Sequence, residues 1–506
     1  MILDTATIDR DVSLSADVCI IGSGAGGSVV AHELAAAGRS VVVVEEGPYL
    51  TRRDFTQREE QMLPRLYADQ SLRTALDSTV IVSQGCVVGG STVASACVCV
   101  RTPPRILAHW AASFGLDGWR PEALAPFFER VEAAAHVRPL GPADVNKNNE
   151  RLKTGADQLG FHNYLPAHNR IDCLACGFCA LGCAYDRKAD ALTVQLPAAS
   201  HDGAIIIPDC RVERIETRDG RAAGVKGRFL RTHDNQAHAL TVRAATVVLA
   251  AGAINSPALW LRSQLPNPHQ QVGHNLHLHP QVLLAAVFGD EVAGWRGIPQ
   301  AVIVDEFLDL GRTIEGGYLL TPSFAHPATL ASLLPGFGAD YHRLMGEYPR
   351  LALAAVMLHD RTAGRVELDS NGRVSIAYHL NDEDRTDLMD GMRRLADIYF
   401  AGGAQRVILP YNELLELTRR GDYRAIDEHP LRANDPLLLS YHPQGTLRMG
   451  ADKKRSVVNG WGEAHEVKRL FVADASVFPT SIAVPPQLSV MAVAARTAEY
   501  IVKREA

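Results

Sequence analysis

Asp17-Val-Cys-Ile-Ile21 runs directly into Gly22-Ser-Gly24-Ala-Gly-Gly27, and nothing else in the chain restricts its fold as strongly. The apolar stretch reads as a short buried strand. Ser28 to Ala37 follows with a helical pattern, Gly38 stops it, and Val41 to Val44 forms a second strand ending at Glu45. Glycines at 22, 24 and 27 permit a tight turn and let backbone N–H groups approach a pyrophosphate at the helix N-terminus. Glu45, roughly 20 residues downstream, is placed to accept from the ribose hydroxyls of an adenosine. A glycine-rich turn used only for packing leaves Glu45 unexplained. Strand, turn, helix, strand and acid together predict a Rossmann-like dinucleotide-binding domain. On this motif alone FAD and NAD are both open.

Further pieces of the same domain lie far away in sequence. Ala244 to Gly252 is another buried strand ending in small residues, and Leu470 to Asp474 another, followed by a helix from about Pro486 to Lys503. The dinucleotide domain is therefore assembled from discontinuous segments, residues 1–275 and a return at 437–506. A Cys-rich insert occupies about 165–195. Residues 276–436 mix apolar strands such as Leu351 to Met357 with a helical pattern around Arg385 to Phe400. They read as an α+β substrate-binding domain with an antiparallel sheet, and the chain as an α/β protein.

Hydrophobic content of 47%, charged content of 21% and a net charge of −6 describe an ordinary globular chain with no basic face for nucleic acid. The first residues lack the basic start, apolar stretch and cleavage site of a secretory signal. Arg52–Arg53 lies too far inside the first domain to read as a twin-arginine signal. No apolar stretch is long enough for a transmembrane segment. These features predict a cytoplasmic protein, where clustered cysteines are more often metal-binding or catalytic than disulfide-forming.

Four of the nine cysteines cluster, at Cys173, Cys176, Cys179 and Cys183. The C-x2-C-x2-C-x3-C spacing is that of a bacterial ferredoxin ligand run, and it predicts an iron–sulfur cluster (3Fe–4S or 4Fe–4S). In two-cluster ferredoxins the fourth cysteine serves the other cluster, so Cys183 either joins the same cluster or stays free. Zinc on four thiolates is a second reading, although zinc sites usually split their cysteines into two separated pairs. Unmetallated thiols in a structural loop are the third. Cys19, Cys86, Cys97 and Cys99 read as small apolar fillers.

The motifs together resemble the glucose–methanol–choline (GMC) flavin oxidoreductases along the whole chain. The resemblance is carried by Gly22 to Gly27 with Glu45-Glu-Gly47, by Gly85-Cys-Val-Val-Gly89-Gly90-Ser91-Thr92, and by Ala250 to Pro257. Val272-Gly-His-Asn-Leu-His-Leu-His279-Pro280 and Tyr441-His442-Pro-Gln-Gly445-Thr-Leu-Arg-Met-Gly450, with Ala473 to Thr480, complete it. It implies bound FAD, with Gly22, Gly24 and Gly27 on the pyrophosphate and Glu45 on the ribose. Gly89, Gly90 and Ser91 would lie along the flavin, Val212 would meet the adenine, and Asp474 and Ala475 the ribityl–pyrophosphate. Gln487, opening the last helix, is grouped with these cofactor-binding residues. Ala94 and Ser95 stand near where some members attach the flavin through a histidine, so the expected FAD is non-covalent.

His442 matches the family's first catalytic position, and a neutral imidazole suits removal of an alcohol proton. For an unremarkable histidine, packing in a loop is the plainer reading. The family's second catalytic residue, a histidine or asparagine before a proline, is replaced here by Pro485, which has neither a titratable group nor an N–H. Either His442 acts alone, or Gln487 or a residue of the middle domain substitutes, or the chemistry is not alcohol oxidation. Pro486 is expected in the first turn of the final helix, whose N-terminus favours the negative charge of a reduced flavin. The resemblance also supplies a precedent for a cluster near the flavin, and for a lysine after a Cys-rich stretch, here Lys188. The resulting expectation is a dehydrogenase oxidising a small-molecule alcohol, with electrons leaving through the cluster to an external acceptor such as a protein carrier. An oxygen-using alcohol or sterol oxidase and a non-redox or light-driven flavin enzyme are the alternatives.

Overall fold

The structure is a computed structural model describing residues 1–308 and 314–505. Val12–Ile21 lies at the centre of a seven-stranded sheet, parallel to Val41–Val44 on one side and to Ala239–Leu249 on the other. Ile205–Ile207 extends the sheet beyond Val41–Val44, also in parallel. The residues from Val18 to Ile21 are buried on both faces, which is why they read as a continuous apolar run, whereas Val12 to Asp17 alternate. That alternating half was missed in the sequence.

On the edge away from Val12–Ile21, Ala239–Leu249 serves two further partners. Its first half pairs antiparallel with Arg221–Phe229, which in turn pairs with Cys210–Arg218, and its last three residues pair in parallel with Leu470–Val472. The C-terminal segment thus closes a sheet begun at the N-terminus. Helix Ala25–Ala36 packs between this sheet and helix Gln487–Glu505.

The second large sheet is mostly antiparallel. Gln281–Val287 pairs with Leu351–Leu358, followed by Tyr318–Pro322, Ile303–Val304 and Asn163–Tyr164. Arg406–Ile408 flanks it on the other side, and Leu438–Ser440, itself paired with Val80–Val82, joins the same strand Gln281–Val287. This sheet therefore recruits strands from outside 276–436. Leu351–Leu358 is buried along its length, with helix Asp382–Ala401 against it. The Asn381 side chain caps that helix by accepting from Asp384 N at 2.7 Å. Each large sheet anchors its own apolar core. The last helix starts at Gln487, one residue later than expected, and the Pro486 carbonyl accepts its first helical bond from Val490 N at 2.9 Å.

Among the described residues no helix is long and apolar enough to cross a membrane.

Candidate active site

At the carboxyl end of Val12–Ile21 the chain turns through Gly22, with φ +97°, into helix Ala25–Ala36. Ser23 organises the turn. Its hydroxyl donates to Glu45 Oε2 at 2.7 Å while accepting from Gly89 N at 2.9 Å, and its own N–H donates to Glu45 Oε2 at 2.9 Å. Glu45 Oε1 accepts from Gly47 N at 2.9 Å. Burial pushes the Glu45 carboxyl up, and the donors from Gly47 and Ser23 oppose that shift. Ser23 was not singled out in the sequence. It occupies the variable position of G-x-G, and its part depends on Gly89, 66 residues on.

The second glycine loop lies against the first. Gly90 has φ +54°, and a Cβ there would come within 2.7 Å of Gly24 Cα. Two backbones meet without side chains, leaving the close, N–H-lined approach that a pyrophosphate requires. Ser91 is exposed, its hydroxyl accepting from Gly85 N at 2.9 Å. Asp474 is buried and accepts from Gly252 N at 2.9 Å, Ser256 Oγ at 2.6 Å and Ser476 N at 2.8 Å, and Ala475 follows it. Burial raises its carboxyl as well. Val212 faces Gly227 in the edge strand of the same sheet. Gln487 Nε2, at the start of the last helix, is a buried amide nitrogen with no hydrogen-bond partner among the described residues. The glycine cradle and this orphaned donor fit a bound dinucleotide.

The second element of the site is built from histidines. His442 is half-buried in the loop after Leu438–Ser440, and its Nδ1 lies 3.4 Å from Nδ1 of His279, which is wholly buried. The rings cross at 85° with centroids 5.4 Å apart. Gln444 Nε2 reaches His279 Nε2 at 3.1 Å and the His442 carbonyl at 3.2 Å. Burial pushes His442 down to about 4 and His279 well below the ordinary imidazole range, so both are neutral near pH 7. Pro485 adds no polar group. His279 and Gln444 stand inside sequence blocks already recognised, yet the coupling of His279 to His442 was not legible, because it joins positions 163 residues apart.

The cysteine run gives the expected cluster no support. Among the described residues no group of three or more His, Cys, Asp or Glu side chains is gathered to hold a metal ion. All nine cysteines are free, and the four sulfurs of the run accept from protein donors. Cys173 Sγ accepts from Ala175 N at 3.4 Å, Cys176 Sγ from Gln57 Nε2 at 3.9 Å, and Cys183 Sγ from Arg187 N at 3.2 Å. Arg170 Nη1 lies 3.5 Å from Cys173 Sγ and 3.8 Å from Cys179 Sγ. The buried Arg170 guanidinium thus lies against two of the four sulfurs. Iron–sulfur and zinc ligation by Cys173, Cys176, Cys179 and Cys183 are therefore not supported.

What the loop shows instead is a clamp. Lys188 Nζ is buried and donates to the carbonyls of Val93 at 2.6 Å, Ser95 at 2.9 Å and Cys179 at 2.8 Å. Tyr67 OH donates to Ala180 O at 2.9 Å, and Phe178 stacks on His326 with centroids 4.2 Å apart. The loop is fastened to the segment that continues from Gly89–Thr92.

A parallel nucleotide sheet with a glycine cradle, joined to an antiparallel sheet that carries a neutral histidine pair, defines an FAD-dependent oxidoreductase. The chain belongs to the GMC oxidoreductase family, acting on CH–OH donors: the family's N-terminal profile matches residues 19–281 and its C-terminal profile residues 360–494. It is 34% identical over 504 residues to an uncharacterised GMC-type oxidoreductase of Mycobacterium tuberculosis, covering 97% of this chain and 76% of that one. A long-chain-alcohol oxidase of Arabidopsis thaliana is 28% identical over 513 residues, covering 96% of this chain and 68% of that one. Among solved structures, pyridoxine 4-oxidase from Mesorbium loti shares the fold with a TM-score of 0.75 at 20% identity, covering 96% of this chain and 98% of that one.

Proposed function

We propose that this protein oxidises a primary alcohol with His442 as the base, using non-covalent FAD and passing electrons to dioxygen. The observation that carries the reading is the neutral, half-buried His442, whose Nδ1 is engaged by His279 while its Nε2 forms no hydrogen bond among the described residues. Gly22, Gly24 and Gly27 would hold the pyrophosphate, Glu45 the ribose and Val212 the adenine. Asp474 and Ala475 would meet the ribityl–pyrophosphate, and Gly89, Gly90 and Ser91 would run along the flavin. Gln487 and the N-terminus of the last helix would face the pyrimidine end, where a positive helix terminus favours negative charge. Bound FAD supplies a hydride acceptor at N5. His442 would take the hydroxyl proton as the carbinol hydrogen leaves, a role for which a neutral ring is required.

Dioxygen as the acceptor is supported by the activities named for the relatives. The Arabidopsis protein is a long-chain-alcohol oxidase, and a 27% identical Streptomyces lividus protein is a 6'''-hydroxyparomomycin C oxidase. The former also makes a long-chain alcohol the first substrate class to test. Anaerobic mixing of FAD-loaded protein with dodecan-1-ol should remove the oxidised flavin's visible absorbance, and air should restore it with hydrogen peroxide formed. An alcohol-reduced flavin that air does not reoxidise would refute the oxidase assignment. A flavin untouched by dodecan-1-ol, pyridoxine and short alcohols alike would refute alcohol oxidation.

A further inference from the structure

His279 adopts φ +47°, a left-handed conformation that non-glycine residues seldom take. Asp360, fully buried, holds it there: its carboxylate accepts from the backbone N–H groups of Leu278 at 2.8 Å and His279 at 3.3 Å. Tyr378 OH at 2.7 Å and Ser481 Oγ at 2.9 Å donate to the same carboxylate. A carboxylate with four donors thus fixes an unusual backbone whose effect is to aim one imidazole at another. His277, with Nδ1 3.8 Å from Asp360, and His359, bound to the Ser481 carbonyl at 3.1 Å, are the other titratable groups around the pair, with Glu315 near His277.

Two ring nitrogens facing each other at 3.4 Å share one proton, so one ring donates and the other accepts. Gln444 decides which. Both of its Nε2 hydrogens are used, on His279 Nε2 and on the His442 carbonyl. His279 Nε2 is then an acceptor, neutral His279 carries its proton on Nδ1, and it donates to His442 Nδ1. Neutral His442 must in turn carry its proton on Nε2. Gln444 Oε1 meanwhile is buried without a partner. If the amide turns over, giving up its bond to the His442 carbonyl, Oε1 accepts from a His279 Nε2–H, His279 Nδ1 accepts from a His442 Nδ1–H, and His442 Nε2 becomes a free lone pair. Only this second arrangement suits a base, and only it accommodates the imidazolium formed when the base has taken its proton.

We propose that His279 is the positioning residue of His442 and that, with Gln444, it selects which nitrogen of His442 carries the proton, a role the chain cannot assign to Pro485. The inference rests on His442 being the base, and its test separates the two.

In FAD-loaded protein with 15N-labelled histidine, Gln444→Glu supplies a side chain that only accepts when ionised. It should move the His442 proton from Nε2 to Nδ1 in the imidazole nitrogen spectrum and raise the apparent pKa of flavin reduction by dodecan-1-ol. His279→Phe should slow that reduction about 10- to 100-fold with FAD content and KM little changed, and His279→Asn should recover part of the loss. An unchanged His442 tautomer in folded, FAD-loaded Gln444→Glu protein overturns the selector, as does a His279→Phe enzyme within twofold of wild type at every pH. A fully active His442→Ala enzyme instead overturns the base assignment, while the nitrogen spectrum, which needs no turnover, still decides the tautomer.

Discussion

The cysteine loop and the histidine pair reverse each other's relation between sequence and space. Four cysteines fall between positions 173 and 183, yet they are not gathered as a metal-ligating group: Cys176 and Cys183 take donors of their own while Cys173 and Cys179 share Arg170. His279 and His442 stand 163 residues apart and meet at 3.4 Å. Spacing constrains which side chains can reach one point; only the fold decides whether they do. In the loop, buried Arg170 and Lys188 hold the backbone and two of the thiols. At the histidines, Asp360 and Gln444 direct one ring at another.

The contrast breaks most visibly at His442. His442→Ala should slow alcohol-driven flavin reduction by about 10²- to 10⁴-fold in stopped-flow traces while FAD stays bound. Replacing Lys188 by Met probes the opposite region, since it strips three carbonyls of one shared donor. Urea unfolding should show a loss of about 3 kcal/mol, with the pH dependence of reduction unmoved. Ser23→Ala should cost about 1–3 kcal/mol, because Gly89 N loses a buried acceptor, and should lower the FAD retained on gel filtration.

Acid sharpens the comparison further. His442 titrates near 4 when folded and near 6.5 when unfolded, so the unfolded chain binds more protons between those values. The contribution of His442 to stability is therefore complete above about 6.5 and declines as pH falls toward 4, which thermal melts across that window would register. Flavin reduction should hold level through the same window and fall only as His442 itself gains a proton. The smallest effect is expected at Cys176→Ser, within about 0.5 kcal/mol of wild type, with neither iron nor zinc near one per chain by elemental analysis. Stoichiometric iron with acid-labile sulfide would abolish the contrast altogether.

What was legible follows from the range of the interactions. Gly22 to Glu45 form one local unit, so residue type and spacing carry its fold. Val80–Val82 and Leu438–Ser440 are three residues each and become strands only because they pair with each other and the latter with Gln281–Val287. The last helix was placed within a residue because proline marks its start. His442 was found through its block, but its partners were not, since hydrogen bonds across 163 residues leave no periodic trace. The cysteine spacing says nothing of side-chain direction, and Arg170 and Lys188, which the loop turns on, lie outside the run.

The double pairing of Ala239–Leu249 has a consequence during synthesis. Until Leu470–Val472 has been made, Val247, Val248 and Leu249 offer an apolar strand end with unmet backbone donors and acceptors on one side. Such an edge invites pairing with other chains, and a late, long-range parallel closure leaves it open longest. Synthesis thus leaves this strand end open from residue 249 until residue 470 has been made, and His442 emerges only just before its cover.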